Sequence, residues 1–278
     1  MPDKKNLGKI ANHKVAETIN KDKAINIASN VAFRIGKSTL RTAVPEPKFS
    51  WKPGLLREVL EVQTPVEGNK HFLTSIDPKT GEVLRWYDPD AALVTRASIR
   101  EIDHAVALQQ AKDTLKKTDT TIPTNAVSKV AKIDQAKAGI KYVVEWKHQI
   151  GGIEVEGDFI RVTFNAETMK PMMFSKNWTD VESMMENIPP QTARSPANFK
   201  ELDRIAKSET RQQLNLSEAK LSNIEERFVK TIKSEGEAEP PRVEKVLVLN
   251  YKVDKPYPSK VEVLLDQNHK LVEVRQFR

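Results

Sequence analysis

Gly36-Lys37-Ser38-Thr39 carries the ending of a phosphate-binding loop, in which backbone amides cradle a phosphate and the lysine reaches it. That loop needs a glycine five positions before Gly36, and Val31 stands there. Val31 also falls on an apolar stripe with Ala24, Ala28 and Ile35, so the Gly-Lys pair reads as a helix end with a glycine terminator. The five histidines, His13, His71, His104, His148 and His269, stand singly, with no His-x-x-x-His pair and no carboxylate at metal-ligand spacing. His104 reads as a helix-surface residue. His148 ends an alternating strand on the face of Trp146 and reads as partly buried and hydrogen-bonded. No Gly-x-Ser-x-Gly elbow occurs. Cysteine is absent, which removes disulfides, thiolate metal sites and cysteine nucleophiles together. Two carboxylate pairs, Glu154 with Glu156 and Glu225 with Glu226, remain as acid-base candidates. The first lies among Gly151, Gly152 and Gly157, where solvated charge is the simpler reading. The expectation is a protein with no catalytic residue, metal or cofactor.

Large amphipathic rings beside cations are a different kind of chemistry, that of contact surfaces. Trp86 and Tyr87 follow Arg85, and Trp178 follows Lys176 by two positions, each group at the end of a strand. These five residues are the candidate interaction surface, with core packing as the competing reading of the rings.

The 278-residue length calls for two or three compact units. With 38% hydrophobic and 30% charged residues the chain is expected to fold. The 45 Lys and Arg against 38 Asp and Glu give +7, with both signs interleaved. A nucleic-acid partner is not expected, because such affinity needs cations concentrated along one stripe. Only Lys4, Lys5, Lys9, Lys14, Lys21 and Lys23 approach one, and a solvated arm explains them. A basic binder of anionic polymer or of a membrane surface stays as the alternative function. No run nears the roughly 20 apolar residues of a membrane span, and the N-terminus lacks a signal-peptide core. The location expected is extracellular or cell-envelope if a leader was removed, and cytoplasmic otherwise.

Three segments share one layout. Leu55–Asp88, Lys141–Trp178 and Glu244–Phe277 each read as two strands joined by a Gly- or Pro-containing loop, an Asx-led turn and a last strand. The turns begin at Asp77, Asn165 and Asp266, whose short side chains accept backbone hydrogen bonds two residues on. Ile140, Tyr142, Val144 and Trp146 alternate with Lys141, Glu145 and Lys147, and Ile160, Val162 and Phe164 with Arg161 and Thr163. A helical stripe precedes each segment: Ala24, Ala28, Val31 and Ile35; Ile102, Ala105, Leu108, Ala111 and Leu115; Leu221, Ile224, Phe228 and Ile232 with Ser217 as N-cap. A further helix is expected from about Ala197 to Gln213. The fold class expected is α+β, two to three repeats of an N-terminal helix packed on a small antiparallel sheet. The domains expected are a basic polar arm over 1–19 and modules over 20–90, 97–180 and, more divergent, 197–278.

The run Gly152-Ile153-Glu154-Val155-Glu156-Gly157-Asp158-Phe159-Ile160-Arg161-Val162-Thr163, with Asn165-Ala-Glu-Thr and Phe174-Ser175-Lys176-Asn177-Trp178 after it, resembles the PepSY and FTP modules. Ile76-Asp77-Pro78-Lys79-Thr80-Gly81-Glu82-Val83 is similar to their turn, and Asn20-Lys21-Asp22-Lys23-Ala24-Ile25-Asn26-Ile27-Ala28 to their helix start. The second copy departs at Met169-Lys170, and the third keeps only its aspartate and strands. The resemblance implies a cystatin-like module without catalytic residues, found in metallopeptidase propeptides, peptidase-regulating lipoproteins and envelope or spore proteins. The partner it implies is another protein, a peptidase or an envelope component.

Overall fold

A computed structural model describes residues 18–39, 44–52, 57–68, 70–91, 102–135, 139–179, 199–210, 214, 216, 219–231, 242–253 and 259–277. Among them are three helices, α1 (Lys21–Arg34), α2 (His104–Lys117) and α3 (Phe199–Glu209). The strands are β1 (Lys48–Lys52), β2 (Arg57–Val66), β3 (Lys70–Ile76), β4 (Val83–Tyr87), β5 (Ala126–Gln135), β6 (Gly139–Ile150), β7 (Ile153–Asn165), β8 (Pro171–Asn177), β9 (Lys220–Thr231), β10 (Arg242–Val253), β11 (Ser259–Leu265) and β12 (Leu271–Phe277).

Strand content corrects the expected fold class. The twelve strands join one mixed sheet in the order β1-β2-β3-β4-β8-β7-β9-β10-β11-β12, with β5 and β6 branching from β7. The β7–β9 step is parallel. Separate small antiparallel sheets, each under its own helix, are not what the chain builds. The stretch expected as a helix over Leu221–Ile232 is instead strand β9 as far as Thr231, and Ile232 and the expected N-cap Ser217 lie outside the described residues. Its pairing with β10 shifts at Asn250/Tyr251, leaving Ser222 without an opposite residue. That bulge turns Leu221 and Ile224, three apart, toward the same core. A strand with one bulge thus imitates the three-and-four stepping of a helix.

The chain forms two compact units. The first comprises Met1–Ile122, Lys129–Glu145 and Ile160–Asn177. Its α1 is capped by the Asn20 side chain, which accepts from Lys23 N at 2.8 Å, and Gly36 ends it at φ 92°. Ala24 and Ala28 lie against Leu60, Val62 and Ile76 of β2 and β3. On α2 the buried residues are Ala107, Ala111, Thr114 and Leu115, while Ala105 of the expected stripe is exposed.

The second unit comprises Pro123–Ser128, Trp146–Phe159 and Trp178–Arg278. Leu202 and Ala206 of α3 pack with Leu249, Tyr251, Val261, Val263 and Leu265 on one side of the β10–β11 ladder. The other side holds Val229, Val246, Val248 and Leu264. The ion pair between Arg275 of β12 and Glu156 of β7 joins strands four ladder steps apart, about 19 Å on a flat sheet at ~4.8 Å per step. The sheet of this unit must therefore coil strongly, as right-handed strand twist allows.

All three Asx turns form as the residue types require. The Oδ1 of Asp77 accepts from Lys79 N (2.8 Å) and Thr80 N (3.0 Å), that of Asn165 from Glu167 N (2.9 Å) and Thr168 N (3.2 Å), and that of Asp266 from Asn268 N and Lys270 N (both 2.8 Å). Each turn ends on a left-handed residue: Gly81 at φ 78°, Met169 at 53° and His269 at 62°. Only the first has the residue that adopts this conformation without strain.

Candidate interaction face

On the first unit, β2, β3, β4 and β8 pair so that their side chains stand in rows across the ladder. Val62 faces Thr74, Thr74 faces Trp86 and Trp86 faces Phe174. This row is on the α1 side, because Val62 belongs to the α1 core. Trp86 is fully buried there, its ring 5.6 Å from Phe72 and 6.4 Å from Phe174 in stacked geometry. Strand alternation then sends Arg85 and Tyr87 to the opposite, outer face.

Two rows make up that face. Gln63, Leu73, Tyr87 and Met173 form one, and Glu61, Ser75, Arg85 and Ser175 the next. Leu73 is 39% exposed, Gln63 and Arg85 are exposed, and Tyr87 and Met173 are half-buried. Glu61 is taken by Lys52 at 2.6 Å. The contact of the Arg85 guanidinium is the Met173 sulfur at 4.0 Å, and no carboxylate among the described residues lies within ion-pair distance of it. The neighbours of Arg85 along the row, Ser75 and Ser175, are small and buried.

The structure thus separates the five residues that sequence reasoning grouped. Arg85 and Tyr87 share the outer face. Trp86 is core. Lys176 is ion-paired with Glu82. Trp178 is in the second unit, stacked at 4.4 Å on His148. Leu73 and Met173 were missed. Leu73 had a readable signal, being an apolar residue in the polar phase of β3 between His71 and Ser75.

His148 is 2% exposed and part of a polar network within the second unit. Its Nδ1 is 3.0 Å from Asp158 Oδ2, its Nε2 is 2.9 Å from Asn125 Nδ2, and Asp158 also accepts from Thr179 N (3.1 Å) and Thr179 Oγ1 (3.2 Å). With both ring nitrogens engaged and the ring buried, the group braces β6, β7 and the residues after β8. The carboxylates considered for acid-base work are all ion-paired: Glu154 with Lys147 (2.6 Å), Glu226 with Lys245 (2.9 Å), Glu225 with Arg227, and Glu156 with Arg227 and Arg275.

Arg227 is the hub of a network that also contacts Glu262 at 3.3 Å. Burial works against the Glu262 carboxylate, but hydrogen bonds and charge from Lys260 and Arg227 outweigh it and hold its pKa below the usual glutamate value. Burial likewise disfavours the charged Arg227 and Arg275, yet their glutamate partners raise both above the ordinary arginine value. Tyr251, fully buried, donates to Asp203 Oδ1 at 2.9 Å, and burial followed by that carboxylate pushes its phenol far up. Of the N-terminal lysines, Lys4, Lys5, Lys9 and Lys14 lie outside the described residues, and Lys21 is paired with Glu46. Among the described residues no group of His, Cys, Asp or Glu could hold a metal, and no helix is long and apolar enough to cross a membrane.

No family model matches the chain, and no curated protein matches it. Among solved structures it is similar to the Bacillus megaterium YpeB C-terminal domain. That likeness has a TM-score of 0.42 at 14% identity, over 94% of this chain and 99% of the other. Likeness at this level transfers no function.

Proposed function

We propose that this chain is a non-catalytic binding protein that holds another protein on the outer face of β3, β4 and β8. The observation that carries the reading is Arg85, a surface guanidinium without a carboxylate partner among the described residues, framed by Leu73, Tyr87 and Met173. Arginine, tyrosine and methionine are the residue types enriched in protein interfaces, and aromatic and arginine side chains supply most hot spots. The complement is a protein segment that sets a carboxylate among apolar side chains. The resemblance of the sequence to PepSY and FTP modules makes a peptidase or envelope component outside the cell the first partner to try.

The test places a photoreactive residue at position 73 and, as a control, at the exposed turn residue Lys79. The partner joined at position 73 is then purified and its affinity measured. Selective adducts at position 73, and binding weakened at least about tenfold by Arg85→Glu, are expected. Equal labelling at both positions would argue against this face.

A further inference from the structure

A second site, independent of the outer face, lies along α2 in the first unit. A cleft of about 280 Å³ is lined by Gly36 and Lys37 at the end of α1, by Asp88, by Gln110 and Lys117 of α2, and by Met169 and Lys170 of the second Asx turn. A neighbouring hollow of about 470 Å³ shares Gln110, Lys117 and Pro171 with it and continues along α2 to Val106, which is 53% exposed. The two form one groove, with the exposed Val106 beside Gln109 and the Lys116-paired Asp113 at one end and Lys117 and Lys170 at the other.

The floor of the basic end is already neutral. Lys37 Nζ is 2.7 Å from the buried Asp88 carboxylate and 3.4 Å from Asp90, which Lys70 also holds. The rim is not. No carboxylate among the described residues lies within ion-pair distance of Lys117 or Lys170, although Asp113, paired with Lys116 at 3.1 Å, feels Lys117 at longer range. Helix C-termini repel anions, and two converge here, but five of their terminal carbonyls already accept backbone hydrogen bonds. Val31, Ala32 and Phe33 accept from Ile35, Lys37 and Gly36, and Leu115 and Lys116 from Thr118, Thr120 and Asp119.

A third feature marks the lip. Met169 is held in the left-handed region at φ 53°, and its carbonyl accepts from Gln110 Nε2 at 2.7 Å, which ties the strained turn to α2. Non-glycine residues kept in this conformation cluster at ligand clamps.

We infer that this groove binds an extended acidic peptide, its carboxylates held between Lys117 and Lys170 and its apolar end against Val106. Val106 to Lys117 spans about 16 Å of helix at ~1.5 Å per residue, the length of about five extended residues. Charge at one end and an apolar contact at the other fix the direction of the chain.

The test uses the full chain and a fluorescein-labelled Ala-Leu-Ala-Glu-Glu peptide, read by fluorescence anisotropy at low ionic strength. Saturable binding is expected. Lys117→Glu and Lys170→Glu should each weaken it about tenfold, Lys79→Glu should leave it unchanged, and salt should weaken it steeply. No saturation, equal affinity in all variants, equal affinity for Ala-Leu-Ala-Lys-Lys, or binding of citrate as tight as that of the peptide would overturn the inference. An outer-face variant, Arg85→Glu, should bind this peptide normally, so the two surfaces fail or succeed separately.

Discussion

Leu73 of β3 and Tyr87 of β4 stand directly opposite each other on the outer face of the first unit, with Met173 next to Tyr87 and Arg85 in the adjoining row. Trp86, between Arg85 and Tyr87 in sequence, is on the other side of the same strand and fully buried.

That alternation predicts opposite outcomes for neighbouring substitutions. Trp86→Ala removes a ring packed between Phe72 and Phe174 and should destabilise the protein by about 3–5 kcal/mol. Tyr87→Ala, on the half-exposed face, should cost about 1 kcal/mol or less. Urea unfolding of the two variants checks this, and similar losses would mean that the face is not open.

The left-handed turn residues can be ranked. Met169→Gly should stabilise by about 0.5–1 kcal/mol, since glycine relieves the φ 53° conformation although it gains entropy when unfolded. Gly81→Ala should destabilise by about 1 kcal/mol or more, because φ is 78° and a Cβ would stand 3.4 Å from Ile27 Cδ1. Shifts of the unfolding midpoint in these two directions are the expected result.

The Arg227 network has a pH signature. The folded-state pKa of Glu262 is depressed below its ordinary 4.5, so its stabilising contribution is complete above that value and fades as pH falls through the depressed one. Glu262→Gln should therefore cost about 1–3 kcal/mol near neutral pH. The gap to wild type should narrow only below pH 4.5, and unfolding curves down to about pH 3 will show whether it does.

Tyr251 offers a cleaner single bond. Tyr251→Phe keeps the ring in the α3 core and removes the hydrogen bond to Asp203, which retains its pairing with Lys207 at 3.1 Å. A loss of about 1–2 kcal/mol is expected, again by urea unfolding.

Much of the local structure was legible because it obeys two-residue alternation or side-chain capping. The buried series Tyr142, Val144, Trp146 and Ile160, Val162, Phe164, the three Asx turns and the glycine end of α1 are of this kind. What failed depends on distant pairing. The bulge at Ser222 gave β9 a helical spacing, and nothing local marks the parallel β7–β9 step that joins the strands into one sheet. The outer face was half legible for the same reason. Arg85 and Tyr87 declare themselves by residue type, but Leu73 and Met173 join them only through the registers of β3 with β4 and β4 with β8.

The most direct test of protein binding by this face is the dissociation constant of the partner captured at position 73, measured for wild type, Leu73→Asp and Arg85→Glu alongside their unfolding midpoints. A binding face predicts at least about tenfold weaker binding in both variants with midpoints unchanged. Wild-type affinity in both would contradict it.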